Sequence, residues 1–425
     1  MHLMRWAGKQ ITRRVRYGAS RFSATSAEFT RAPYEVLQQI HEPVFWMPNL
    51  TAWVVAGNNE VREAFDHPDL GRDIKVWDLY QAPKKNSPTP TLDWCRLNTP
   101  LTNKELHPKH RRLFQQSMKP AAIRRMEGQI QKIVGKYTDC FQKTGEVDLA
   151  KELVNMPADV IAFILGIDVE GDSISLYRKH GYNFLLMAEP RATPAQRKLA
   201  DEGAAFLLDF LRKMIQERRT HPKEDMISDL VAVMDSSDEF HEDEIVLCIQ
   251  GLLVAGTHTM AQSAMLGIKT LLEHPDKLDE LRADRALIPT AVEELLRLEM
   301  PGKFVTRFAT RDLILGGKPI RRGDILMLSL VMANRDPALF ENPGEINFHR
   351  DNLGKTLTFG HGITYCTGAH IAKQTLKCMY TDMLDKLPRD TRFLGDRMKW
   401  DDSGLVFRTI ERMPVVIPPR SSIAP

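Results

Sequence analysis

Cysteine is scarce in this sequence: five residues in 425 (Cys95, Cys140, Cys248, Cys366 and Cys378), with no C-x-x-C pair among them. A disulfide framework and a zinc finger are therefore excluded, and an odd, sparse set suits a reducing compartment where thiols stay free for packing or ligation. Long hydrophobic runs are also lacking. The stretch IAFILGI at 161–167 falls far short of the ~18–20 apolar residues of a membrane-spanning helix, so none is expected. No Gly/Ser/Pro-rich linker, internal repeat or low-complexity tract divides the chain. A length that would suit two or three domains of ~100–200 residues therefore reads as one large domain over 28–425, behind a basic leader at 1–27.

Charge of one sign is missing as well, since 58 basic residues face 55 acidic ones for a net +3. Six of the basic residues (Arg5, Lys9, Arg13, Arg14, Arg16, Arg21) lie in 1–27 without an acid, leaving 52 against 55 in the body, which excludes nucleic-acid binding there. On a helical wheel Leu3, Trp6, Ala7, Ile11 and Val15 share one side and Arg5, Lys9, Arg13 and Arg16 the other, with Arg14 intruding on the apolar face. Three readings stand: a basic tail or packed leader, a surface helix in weak contact with anionic lipid, and an Arg/Ser-rich transit peptide. No apolar run leads into a small-residue cleavage site, so secretion is not expected and the cytoplasm is the expected location.

Apolar residues recur at three- and four-residue steps in 121–143, 147–165, 194–219, 224–236, 242–273, 275–283 and 288–299, predicting helices punctuated by proline and glycine. After Pro301 the period changes. FVTRFAT (304–310) and DLILGGKPI (312–320) predict strands, the latter turning at Gly316-Gly317, and 325–337 runs from strand to helix. The fold class is thus mainly α with a small β-sheet region. The Pro- and Asn-rich segment 79–104 lacks a helical stripe and is expected to be a long loop, either a binding loop or a surface connector.

Chemistry concentrates in Thr358-Phe359-Gly360-His361-Gly362-Ile363-Thr364-Tyr365-Cys366-Thr367-Gly368. Glycines spaced around one cysteine suit a tight loop that presents a sulfur to a flat ligand. A helix starting after Cys366 would aim its positive end at that sulfur and favour the thiolate, a strong axial ligand for haem iron. A buried cysteine in a Gly-rich turn is the alternative. Glu294 and Arg297 stand at i, i+3 before Pro301, on one helical face. Gly256, inside the most apolar helix, costs ~1 kcal/mol against alanine and calls for a reason such as a ligand crossing there.

The loop resembles the haem-binding signature of the cytochrome P-450 family, F-G-x-G-x-[HR]-x-C-x-G, at Phe359, Gly360, Gly362, Cys366 and Gly368. It departs at Thr364, where the family usually offers a propionate-binding cation. Five further sites, in order, match the family: His107 with Arg111; Ala255, Gly256 and Thr259 of A-G-x-[DE]-T; Glu294 with Arg297; Arg307; and Arg350, which would join the Glu294 cluster. His258 replaces the usual acid.

The resemblance, most like the bacterial type, implies a P-450-like fold and a haem b cofactor. It also implies a monooxygenase of secondary metabolism that acts on an apolar small molecule with O2. Ferredoxin and ferredoxin reductase would be the electron donors. Cys366 would ligate the iron, and Phe359, Gly360, Gly368, Ala255 and Gly256 would line the haem. His107, Arg111, Arg307 and Thr364 would hold its propionates. Thr259 would be the oxygen-side hydroxyl, and His258 either a proton relay or a packed core residue. Substrate contacts would come from 79–104, Phe184 to Met187, Leu252, Ala255 and Phe304 to Thr306. The rival readings are the same fold with altered oxidative chemistry (peroxide use, ring formation or nitration) and a non-catalytic haem sensor.

Overall fold

The computed structural model describes residues 23, 26–76, 86–98, 107–114, 118–188, 192–236, 238–402, 404 and 406–419. The leader readings at 1–22 and 24–25, and the parts of the expected loop at 79–85 and 99–104, lie outside these residues.

The periodic segments become helices whose ends follow capping chemistry. The labelled helices are α1 (Asn58–Asp66), α2 (Pro90–Asn98), α3 (His107–Phe114), α4 (Pro120–Thr138), α5 (Met156–Leu165), α6 (Ser173–Leu185), α7 (Pro194–Thr220), α8 (Met226–Asp235), α9 (Glu242–Glu273), α10 (Pro275–Ala283), α11 (Ile288–Leu298) and α12 (Ala369–Lys386). Thr193 and Gln196 close a capping box on α7, and the Asp225 side chain accepts from the Ser228 N–H at the start of α8. Helix α9 opens with Glu242, Asp243 and Glu244, carboxylates suited to the positive end of its dipole. By length and composition α9 is apolar enough to cross a membrane, yet here it is a spine packed against α5, α7, α11 and α12.

The strands are β1 (Val44–Met47), β2 (Ala52–Val55), β3 (Leu70–Gly71), β4 (Gly145–Asp148), β5 (Val305–Ala309), β6 (Leu313–Leu315), β7 (Lys318–Ile320), β8 (Ile325–Leu328), β9 (Arg392–Phe393), β10 (Lys399–Asp401), β11 (Thr409–Arg412) and β12 (Pro414–Ile417). The main sheet runs β1-β2-β8-β5-β3, with β2 and β8 parallel and the other pairs antiparallel. Gly316 (φ 52°) and Gly317 (φ 71°) turn β6 into β7, as the two-residue hairpin chemistry predicts.

Three expectations are corrected, and two sets of elements carry no clear sequence signal. Residues 147–148 belong to β4, not to a helix, because Gly145 (φ 95°) turns the chain into a strand that pairs with β12; the helical residues after it divide into Leu149–Leu153 and α5. The predicted helix 121–143 ends at Thr138 and tightens into a short 3-10 turn over Asp139–Gln142. The expected loop contains α2, in which Leu92 and Cys95 are buried beneath α7, too few apolar positions to form a readable stripe. The main sheet draws β1, β2 and β3 from the first 71 residues, and α6, with only Ile174, Tyr177 and Phe184 buried, was too polar to register as a helix.

Candidate haem site

The cysteine loop owes its shape to two glycines. Gly360 (φ 77°) and Gly362 (φ 59°) hold left-handed backbone, and a Cβ on Gly362 would stand 2.4 Å from Asp66 Oδ1 of α1. The Cys366 N–H donates to Phe359 O (2.7 Å) and closes the loop. Helix α12 then begins at Ala369, and a Cβ on Gly368 would lie 3.9 Å from the sulfur.

Cys366 keeps an exposed surface although protein surrounds it on most sides. Burial pushes its thiol up, while the N–H groups of Gly368 and Ala369 and the charges of Arg111 and Arg72 favour the thiolate. The helix start thus acts in the expected direction, but burial outweighs it. Among the described residues no group of three His, Cys, Asp or Glu side chains could hold a bare metal ion.

Next to the sulfur gathers an excess of positive charge. Arg307 is 2% exposed, stacks over Phe65 (4.7 Å), and donates to Thr364 Oγ1 (3.1 Å) and Thr306 O (2.9 Å). Burial and then Arg72 push its guanidinium down to about 9. Arg111 donates to Ile363 O (3.0 Å) and Tyr365 O (2.6 Å), tying α3 to the loop. His107 Nδ1 is buried without a hydrogen-bond partner among the described residues, and burial followed by Arg72, Arg111, His110 and Arg307 pushes its imidazole down to about 4. None of Arg72, His107, Arg111 and Arg307 has a carboxylate partner among the described residues. A flat ligand carrying two carboxylates and an iron for Cys366 fits this set.

On α9, Ala255 is exposed and Leu252 and Thr259 are half-buried in a helix whose Leu253, Thr257, Met260 and Ala261 are buried, so one stripe of a core helix lies open. Thr259 Oγ1 donates to Ala255 O (2.5 Å). A Cβ on Gly256 would stand 2.3 Å from Cδ1 of Ile161 on α5, so the glycine makes room for that side chain. His258 turns away from this stripe towards the C-terminal strands. Its Nε2 is 3.1 Å from Thr409 Oγ1, its ring packs 5.1 Å from that of Phe407, and burial pushes it down to about 4 against the opposing charge of Asp401.

Two expected substrate contacts are placed elsewhere. Phe304 is buried, stacked on Phe29 (5.6 Å), and Phe184 is buried where α6 runs beneath Gly203 of α7.

Beneath the loop, Glu294 Oε2 and Oε1 accept from Arg297 Nε (2.7 Å) and Nη2 (2.9 Å), and Oε1 accepts from Arg350 Nε (3.0 Å) and the Asn347 N–H (3.0 Å). Arg297 Nη1 continues to Asn334 O (3.0 Å). Asn334 in turn accepts the Leu357 N–H (2.6 Å) and donates to Thr358 Oγ1 (2.9 Å). The expected cluster is present, and it is wired into the start of the cysteine loop. Sequence reasoning missed Asn334, whose role depends on the fold, and also Arg62, which donates to Lys355 O and meets His361 Nδ1 (3.2 Å), fixing the loop to α1.

A sulfur at a helix start, a nest of cations without carboxylate partners among the described residues and an open stripe on a core helix are what a haem-thiolate protein requires. The chain belongs to the cytochrome P450 family, whose model matches residues 78–400. It is 30% identical over 410 residues to the vitamin D(3) 25-hydroxylase of Pseudonocardia autotrophica, covering 94% of this chain and 97% of that one. It is 26% identical over 405 residues to the polyketide biosynthesis cytochrome P450 PksS of Bacillus subtilis, covering 93% and 98%. The P450 heme domain of Tepidiphilus thermophilus shares its fold at a TM-score of 0.85, with 21% identity and coverage of 95% and 98%. The protein is a P450 monooxygenase, an oxidoreductase with haem b as its cofactor.

Proposed function

We propose that this protein inserts one oxygen atom from O2 into an apolar small molecule of secondary metabolism, drawing two electrons from a ferredoxin and its reductase and consuming two protons to release water. The open stripe of Leu252, Ala255 and Thr259 on α9 carries this reading, because it is an uncovered, mostly apolar strip inside the protein body. The relatives named for polyketide biosynthesis and vitamin D(3) hydroxylation support a substrate of that class.

Haem b, when bound, supplies the iron chemistry that activates dioxygen. Cys366 would offer its sulfur to the iron, with Phe359, Gly360 and Gly368 shaping the loop around it. His107, Arg111 and Arg307 would hold the propionates, with Thr364 orienting Arg307. Ala255 would leave room for haem and substrate, and Thr259 would offer a hydroxyl on the oxygen side.

The test is a screen of apolar polyketide- and sterol-sized compounds for a haem spin-state shift, followed by turnover with NADPH, a ferredoxin and its reductase. Substrate-dependent O2 consumption with an oxygenated product is the expected result. Spin-state shifts without turnover would favour a haem sensor, and product formed from peroxide alone would favour altered oxidative chemistry.

His258, held by Thr409 and Phe407, acts as an anchor between α9 and β11 and not as a proton relay. His258→Ala should therefore lower stability yet keep the wild-type ratio of product to NADPH; diversion of most electrons to peroxide would overturn this. Its folded-state value lies below the unfolded one of 6.5, so the unfolded chain binds the extra proton. This contribution is complete above about pH 6.5 and is lost as the pH falls towards 4, by roughly 2–3 kcal/mol. Urea melts of wild type and His258→Gln should converge over that window, and a constant gap would count against the burial of a neutral ring.

A further inference from the structure

The pairing of β3 with β5 sets two arginines face to face. Leu70 pairs with Ala309 and Gly71 with Phe308, and the antiparallel register continued by one residue places Arg72 opposite Arg307. Like charges directly opposite across a strand pair destabilise it, so this arrangement calls for an anion between them. Neither guanidinium has a carboxylate partner among the described residues, and Arg72 makes no hydrogen bond there either. Arg72 also lies close enough to His107 and Cys366 to influence both. His107 brings its own partnerless, buried Nδ1 to the same place.

Thr364 supplies the complementary observation. It stands where the signature carries a cation, and its hydroxyl accepts a hydrogen bond from Arg307 (3.1 Å) without adding charge. We infer that Arg72 is a haem-binding residue whose guanidinium, paired with that of Arg307, holds a propionate and supplies the positive charge absent at position 364. The inference rests on the family assignment. The cysteine loop alone would not reveal it, because Arg72 lies nearly 300 residues before Cys366.

The test follows haem transfer from the ferric holoprotein to excess apomyoglobin. A hydrogen bond to a charged group is worth enough that Arg72→Gln should lose haem roughly tenfold to a hundredfold faster than wild type. The double variant Arg72→Gln/Thr364→His should return towards the wild-type rate, because it restores a cation from the other side. The midpoint potential of Arg72→Gln should also fall, since a positive charge near the iron favours the reduced state. Arg72→Lys, which keeps the charge, should stay within a few-fold of wild type and serves if the glutamine variant is not recovered soluble. Haem loss at the wild-type rate in Arg72→Gln would overturn the inference. So would an acceleration that Thr364→His leaves in place, or a lysine variant that loses haem as fast as the glutamine one.

Discussion

Glu294→Ala is expected to yield haem-free, aggregating protein. Its carboxylate is fully buried and accepts from Arg297 twice, from Arg350 and from the Asn347 N–H. Removing it strands two guanidinium groups inside the protein, a loss of about 3–5 kcal/mol for one broken buried pair. That is a large share of the ~5–15 kcal/mol by which a folded protein exceeds its unfolded chain. The damage should not stay local. Arg297 also donates to Asn334 O, and Asn334 holds Leu357 and Thr358 at the entrance of the cysteine loop. Arg350→Ala, which leaves the doubly bonded Glu294–Arg297 pair intact, should be the milder of the two but still poorly loaded. The ratio of haem to protein absorbance, with thermal melting of any soluble fraction, checks both variants; fully loaded Glu294→Ala protein of wild-type stability would refute the role of the cluster.

Cys366→Ser is expected to abolish oxygenation while leaving the fold in place. The side chain keeps an exposed surface, and serine nearly matches cysteine in shape, so circular dichroism should be unchanged. A serine hydroxyl cannot supply the electron donation of a thiolate, and activity should drop below detection. The same substitution at Cys95, Cys140, Cys248 or Cys378 should preserve activity. Burial pushes the first three of these thiols up to about 12 and also raises the fourth. Unlike Cys366, none of the four is exposed. Loss of activity in one of these variants, with Cys366→Ser still active, would transfer the ligand role to that residue.

The parts of this account that the sequence made legible are those in which neighbours in the chain are neighbours in space. The glycine and cysteine spacing of 359–368 describes a loop that folds on itself, and Glu294 and Arg297 meet because one helical turn brings them together. Arg350 joined them only through the family resemblance, and the structure supplied the hydrogen bonds. What could not be read depends on contacts distant in sequence. Nothing near Gly145 says that β4 pairs with β12, and nothing near Arg72 says that β3 lies against β5. The cost of glycine in a helix marks Gly256, but nothing nearby in sequence says that Ile161, nearly a hundred residues earlier, packs against it. His258 shows the same limit, since its adjacency to Thr259 suggested a shared task. Successive residues on a helix point about 100° apart, and His258 is directed to Thr409 and Phe407.

The CO difference spectrum of the reduced holoprotein tests the central claim most directly, because the position of the Soret band reports the atom opposite the CO. Ligation by the Cys366 thiolate predicts the strongly red-shifted band of a haem-thiolate protein, absent from Cys366→Ser and retained in the variants of the other four cysteines. A band at the position typical of histidine-ligated haem in the wild-type protein, or a red-shifted band that survives Cys366→Ser, would contradict it.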